Sequence, residues 1–316
     1  MNCSVCLLAS AAVLLFTFPP TALSQTVPTI EVETHLIDNT VSVHDAQGRI
    51  VPGLTKTDFR ITEDGVPQTV RFFAPAEDLP LSIGLVIDAS GSQEKFLKQH
   101  ERDVAIFLQQ VLQPQDQAFA ICFGNHLRLV SDFTASGSEV IEGIHRFDKG
   151  DRNFSEIGPN EERELGTALY DAVYFSVSEK LARLRQRRKV IVIFSDGEEN
   201  SSEHDLIDAI GAAQSANVLI YAVRYTELKH GKTNARNRYG MRALDHLSGQ
   251  TGGRSFDVQA ISLKQAFTEI SDDLRSLYEI AYQSTNPVRD GSYRKIVIQV
   301  ARPDLKVRAR TGYFAR

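Results

Sequence analysis

The chain has 316 residues, 42% hydrophobic and 24% charged, with a net charge of −5. That balance excludes a disordered polyelectrolyte, and the negative charge supplies no field for nucleic acid or an anionic membrane surface. The length allows two domains.

Residues 1–24 read as a signal peptide. After MNCS comes the apolar run VCLLASAAVLLFTF, then a Pro-Pro break and TALSQ, with small Ala22 and Ser24 at the cleavage positions. No Lys or Arg precedes the run, so an uncleaved anchor is the alternative. Cys3 and Cys6 lie ahead of the run, which argues against a lipid-modified N-terminal cysteine. Cys122 is then the single cysteine of the mature chain and is expected to be a small buried apolar residue. The expected location is secreted, periplasmic or cell-envelope, with no membrane insertion after cleavage.

Residues 25–78 carry short alternating segments, IEVETHLI, TVSVHD, FRITED and QTVRFF, split by AQGR, VPGL and EDGVP. They predict a meander of antiparallel strands. From residue 79 to 277 the texture changes. LSIGLVID, AFAICFG, KVIVIFSDG and VLIYAVRY are continuous apolar runs of the kind buried on both faces of a parallel sheet. Helix-period segments alternate with them: EKFLKQHERDVAIFLQQVL, TALYDAVYFSVSEKLARL, EHDLIDAIGAAQSA and LKQAFTEISDDLRSLY. LRLVSDFT, starting at Leu127, reads as an antiparallel edge hairpin, and the basic run LRQRRK, ending at Lys189, as the close of a helix. Two long polar loops start at Gly150 and Glu227.

Residues 278–316 return to alternation in RKIVIQVA and LKVRARTG. The fold expected is α/β: a doubly wound, mostly parallel sheet of Rossmann-like type, inserted in a small discontinuous β-sandwich-like domain made by the two ends of the chain.

Ligands of open parallel sheets bind at the carboxyl ends of strands, near the point where strand order reverses. Asp88 ends one apolar run and begins Asp88-Ala89-Ser90-Gly91-Ser92; Asp196 ends another, and Thr167 precedes a helix in LGTALYD. Asp88, Ser90, Ser92, Thr167 and Asp196 together offer two carboxylates and three hydroxyls. An all-oxygen set suits Mg²⁺ first, with Mn²⁺ or Ca²⁺ as alternatives, whereas zinc or copper would recruit His or Cys. One coordination position would remain for water or an outside carboxylate. Asp-x-Ser-x-Ser alone could be a strand-to-helix turn with a serine N-cap; Thr167 and Asp196 make the metal reading the better one. Glu198 and Glu199 are expected to be solvated and to set local charge. Asp171 is expected on a helix face or as a hydrogen-bond acceptor. Asn125 and His126 fall in a hairpin turn near the same rim and are candidate partner contacts.

IDASGS, LGTALYDAV and FSDGEEN, in this order and spacing, resemble the three loops of the metal-ion-dependent adhesion site in von Willebrand factor type A domains, over about Leu81 to Tyr282. All five signature side chains are present. The resemblance implies that Ser90, Ser92 and Thr167 are close metal ligands, that Asp88 and Asp196 act partly through water, and that an acidic side chain of a partner protein completes the sphere. The flanks GLTKTDFRITEDGVPQTVRFF and YRKIVIQVARPDLKVRARTGYF are similar to exported bacterial proteins of a VWFA-related group.

No nucleophile has a base at a recognisable spacing, and no Gly-rich phosphate loop occurs. The expected function is metal-dependent protein binding or adhesion without enzymatic activity. The alternatives are a divalent-metal hydrolase of the envelope, with Glu198 as its base, and a structural domain whose metal site is vestigial.

Overall fold

The structure, a computed structural model, describes residues 36–75, 79–159, 166–226 and 234–315. The expected signal peptide with Cys3 and Cys6, the start of IEVETHLI, and parts of both long polar loops lie outside the described residues. In chain order the elements are β1 (Leu36–His44), β2 (Phe59–Glu63), β3 (Val66–Gln68), β4 (Val70–Pro75), β5 (Leu81–Asp88), α1 (Leu97–Val111), β6 (Gln117–Phe123), β7 (Leu127–Thr134), α2 (Gly137–Asp148) and β8 (Ser155–Glu156). There follow α3 (Leu169–Phe175), continued by a π-helical turn at Ser176–Leu181, then β9 (Arg188–Ser195), α4 (Leu206–Ser215), β10 (Val218–Arg224), α5 (Ala235–Thr251), β11 (Ser255–Asp257) and α6 (Leu263–Arg275). The chain ends in β12 (Tyr278–Gln283), β13 (Tyr293–Val300), β14 (Lys306–Arg308) and β15 (Gly312–Phe314).

The central sheet has the order β11-β10-β9-β5-β6-β7-β8. β5 pairs in parallel with both β6 and β9, while β7 runs antiparallel to β6 as expected, but the edge of the sheet is the short β8, which pairs with β7. All eight residues of β5 and of β9 are buried, because helices cover both faces of the sheet. Ile83, Leu85 and Ile87 pack with Val104, Phe107, Val140, Ile144, Phe267 and Ile270 from α1, α2 and α6. On the other face Val86, Ile191 and Ile193 pack with Leu169, Val173, Ala209, Leu244 and Leu247 from α3, α4 and α5. Cys122 is free and buried, as expected.

Two four-stranded antiparallel sheets, β14-β1-β12-β4 and β15-β13-β2-β3, each combine strands from both ends of the chain. Val41, Val43, Phe59, Ile61, Tyr278, Ile280, Tyr282 and Ile296 form their common core. The expected meander does not form as such. β2 and β3 make a hairpin, with Asp64 and Gly65 at positive φ in its turn, but β1 and β4 join the other sheet by pairing with β12. TVSVHD also continues from the preceding segment within β1, since Asp38 and Asn39 lie in the strand.

LRQRRK does not close a helix. Arg187 donates to Ser82 Oγ (2.7 Å) and to the Leu81 carbonyl (2.7 Å), and Arg188 is a buried residue of β9 lying 3.7 Å from Glu279. Two helices went unanticipated. α2 has Ser136 as N-cap and Val140, Ile144 and Phe147 buried; α5 begins inside the segment read as a loop, capped by Asn234. Among the described residues no helix is long and apolar enough to cross a membrane.

Residues His35–Arg316 form one compact unit. Buried Arg310 helps to hold it together, donating to Asn39 Oδ1 (3.1 Å), the Asp38 carbonyl (2.5 Å) and the Gln214 carbonyl at the end of α4. Asp273 of α6 accepts from Arg308 (3.2 Å) and lies 3.1 Å from His44 Nε2. Arg310→Met should leave three acceptors without their donor and lower stability by about 3 kcal/mol or more in urea unfolding. A loss within about 0.5 kcal/mol would place Arg310 among ordinary surface residues.

Glu279 accepts from Thr40 Oγ1 at 3.1 Å through each carboxylate oxygen, yet burial outweighs these contacts and pushes its carboxyl up to about 7. Its proton therefore stabilises the fold fully below about pH 4.5, its ordinary value, and this contribution is lost as pH rises through 7. Urea midpoints across that range should fall less steeply for Glu279→Gln than for the wild type.

Candidate metal centre

Strand order reverses at β5: the chain leaves it through α1 to reach β6 on one side and later returns as β9 on the other. The carboxyl end of β5 is therefore the crevice position of an open α/β sheet. Asp88 is the last residue of β5, and Asp196 is the first beyond its parallel neighbour β9. Backbone hydrogen bonds tie the surrounding loops: Ala89 N–H donates to the Phe123 carbonyl (2.7 Å), Ala168 N–H to the Gly124 carbonyl (3.1 Å), and Asn200 N–H to the Thr167 carbonyl (3.1 Å).

The loop after β5 turns back on its own aspartate. Asp88 Oδ1 accepts from Ser90 N–H (3.0 Å) and Ser90 Oγ (2.6 Å), and Asp88 Oδ2 accepts from Ser195 Oγ (2.5 Å). Ser90 Oγ lies 3.2 Å from Ser92 Oγ; Ser90 is buried and Ser92 exposed, so the two hydroxyls lead outward from the sheet end. Asp196 Oδ1 accepts from Glu198 N–H (2.9 Å), and Oδ2 accepts from Gln93 Nε2 (2.7 Å). Thr167 is buried, with its N–H donated to Asn200 Oδ1 (2.8 Å).

Burial pushes the Asp88 carboxyl up to about 7, with the neighbouring negative charge of Asp196 adding to the rise and the Ser195 and Ser90 hydrogen bonds opposing it. Asp196 is raised as well, chiefly by burial. The hydrogen-bond donors to both carboxylates, among the described residues, are uncharged hydroxyl, amide and backbone groups. Arg236, the cation whose field reaches Asp196, lies 3.6 Å from Glu198. Two buried acids in this setting fit a hard divalent cation, whose charge would offset their desolvation and mutual repulsion. The serine geometry fits too. Ser90 gives its proton to Asp88, leaving the hydroxyl lone pairs for a ligand. No three His, Cys, Asp or Glu side chains converge among the described residues, so a cation here would rely on hydroxyls as well as the two acids.

The structure brings the three candidate loops to one end of the sheet, and it revises their acidic neighbours. Neither Glu198 nor Glu199 is a freely solvated charge. Glu198 is buried, and Glu199 organises its loop by accepting from Ser201 and Ser202 N–H (2.8 Å each), Tyr170 N–H (3.0 Å) and Ser202 Oγ (2.6 Å). Asp171 is buried and accepts from Glu203 N–H (3.1 Å) and His204 N–H (3.0 Å), which fits the acceptor role expected of it. Sequence reading missed Ser195, Gln93 and Asn200. Ser195 was hidden in an apolar run, and Gln93 in a polar turn where nothing distinguishes it from a solvated residue.

It also missed Gly240. This residue brings α5 onto the Asp196 loop: a Cβ there would meet the Asp196 carbonyl oxygen at 2.5 Å, and one on Gly197 would meet the Gly240 carbonyl oxygen at 2.3 Å. Gly197 further adopts φ +81°. Gly240→Ala should therefore cost about 1–3 kcal/mol in urea unfolding despite the better helix propensity of alanine. Gly249→Ala on the same helix, with nothing within 4 Å, should be neutral or stabilising. Equal effects at the two sites would show that α5 does not bear on the loop in this way.

The family model for the von Willebrand factor type A domain matches residues 82–269. No curated protein matches the chain. Among solved structures, it is similar to an aerotolerance-related membrane protein from Bacteroides fragilis, with 14% identity over 61% of this chain and 98% of that one and a TM-score of 0.45. BatB from Bacteroides thetaiotaomicron gives 16% identity, coverage of 62% and 100%, and a TM-score of 0.45. Proximal thread matrix protein 1 from the mussel byssus, solved with a zinc-occupied MIDAS motif, gives 14% identity, coverage of 67% and 49%, and a TM-score of 0.45. With a family match spanning more than half of its length, on a doubly wound sheet with its crevice at β5, the chain belongs to the von Willebrand factor type A domain family.

Proposed function

We propose that this protein is an exported, metal-ion-dependent protein-binding module. In this reading Asp88, Ser90, Ser92, Thr167 and Asp196 hold a divalent cation, Mg²⁺ first and Mn²⁺ or Ca²⁺ as alternatives. The observation that carries it is the pair of buried carboxylates at the ends of β5 and β9, met among the described residues by uncharged hydrogen-bond donors. Domains of this family are often metal-dependent protein-interaction modules. Bound here, the ion supplies a Lewis-acidic centre with a coordination position open to a carboxylate of a partner protein.

The chain's own groups divide the work. Asp88 and Asp196 supply the negative charge, and Ser195 and Gln93 orient them. Ser90 directs its proton inward to Asp88, and exposed Ser92 stands at the mouth. Thr167 belongs to a loop fastened to its neighbours through Ala168 and Asn200. Residues 79–277 would be the binding domain, residues 25–78 and 278–316 the β domain that supports it, and residues 1–24 the export signal that places it outside the cytoplasm. We assign no catalytic activity. The hydrolase alternative asks Glu198 to act as a general base, and its proximity to Arg236 gives it no particular fitness for that role.

Mg²⁺ or Mn²⁺ at about a hundred times its dissociation constant should stabilise the wild type by about 2.7 kcal/mol. In a thermal melt Asp88→Ala should abolish that response, and an unchanged response would remove the metal from this site. Envelope proteins retained by the immobilised wild type should differ between Mg²⁺ and chelator; identical sets would favour a structural domain with a vestigial site.

A further inference from the structure

Beside the candidate metal loop is a cavity of about 280 Å³ lined by Ala89, Phe123, Gly124, Asn125, His126, Arg128, Phe147 and Arg152. It shares a wall with the metal centre. Ala89 stands between Asp88 and Ser90, and a Cβ on Gly124 would lie 3.5 Å from Ser90 Cα. The lining is basic. Arg128 is 3.2 Å from Glu156, which is also 3.0 Å from His126 Nδ1, so Glu156 compensates that side of the cavity.

Arg152 differs. Its Nη1 donates to the carbonyls of Phe147 (2.6 Å) and Asp151 (3.0 Å), and its guanidinium stacks 4.2 Å from the centre of the Phe147 ring. Among the described residues no carboxylate lies within ion-pairing distance of it. Neutral carbonyls and an aromatic face thus hold a planar cation in place, and the field of Asp151, whose direct ion pair is with Arg146, reaches it only from beyond ion-pairing distance. A fixed guanidinium is suited to receive a carboxylate, and two parallel N–H bonds are its usual mode.

We propose that this cavity is a second acid-binding subsite, which recognises a carboxylate of the same partner segment that presents one to the metal. The inference rests on the metal-bridging reading, and it narrows the partner to a protein segment carrying two acidic side chains. Arg152 is its anchor, and Arg128 and His126 line the approach.

The test uses the full chain and arrayed synthetic peptides with acetylated N-termini and amidated C-termini, Glu-(Gly)n-Glu against Glu-(Gly)n-Gln, with spacers of none to about six glycines, a reach of up to about 20 Å. In Mg²⁺ the wild type should bind the doubly acidic peptide about tenfold more tightly at one or more spacings. Arg152→Gln should erase that preference while leaving binding of the singly acidic peptides and the Mg²⁺-dependent thermal shift unchanged. No preference at any spacing overturns the subsite, as does a preference that Arg152→Gln retains. A preference for free glutarate equal to that for the peptides would also overturn it, since the site would then take a small diacid and not a protein segment. Failure of the metal reading shows separately, as singly acidic peptides that bind equally in Mg²⁺ and in chelator.

Discussion

Two carboxylates buried side by side at the ends of neighbouring parallel strands constrain the rest of this structure. A buried acid is tolerated when hydrogen-bonded or neutralised, and a pair of them is harder to tolerate than one. Here the neutral donors Ser90, Ser195, Gln93 and the Glu198 backbone satisfy most of the hydrogen-bonding capacity but none of the charge. Burial accordingly pushes the Asp88 carboxyl up to about 7. An arrangement that keeps acids in an unfavourable state needs a scaffold that prevents them from swinging out to water. The buried strands β5 and β9 are that scaffold.

The loops carry the same requirement one layer outward. Gly240 and Gly197 let α5 bear directly on the backbone that follows Asp196, and Glu199 ties that backbone to the start of α3. Asp171 fastens the next turn through Glu203 and His204. These acids face backbone N–H groups, so their charge serves loop geometry. The small antiparallel sheets attach at the far ends of helices, through Arg310 at α4 and through Arg308 and His44 at α6. The mouth of the site is thereby left to loops, where recognition on α/β sheets is usually placed.

How much of this was legible follows from where the physics is local. The apolar runs of β5, β6, β9 and β10 declare themselves because burial on both faces removes alternation. The five candidate residues stood out for a similar reason: each falls at the edge of such a run or of a helix, and their chemistry agrees. α5 was not legible, because Gly240 and Gly249 and a polar surface weaken the helical signal, while the reason for Gly240 lies in a contact with residues distant in sequence. The division of β1, β2 and β4 between two sheets was hidden likewise, since their partners β12 and β13 lie more than 200 positions away. Gln93 and Ser195 look ordinary until the strands that carry their acceptors are brought together.

The charge around the crevice is unequal, and the inequality has a direction. On the β9 side Glu198 and Glu199 place negative charge near the mouth, with Glu199 satisfied by its own loop and Glu198 facing Arg236. On the β6 side Arg128 is matched by Glu156, and Arg152 has no acid within ion-pairing distance among the described residues, with Asp151 acting on it from farther off. An acidic segment of the kind proposed would therefore be drawn to the Arg152 flank, which would fix the direction in which it lies across the loop. Such asymmetry separates partners by orientation and association rate more than by raw affinity. The metal would make a carboxylate welcome, and the flank would decide which carboxylate-bearing chain can remain.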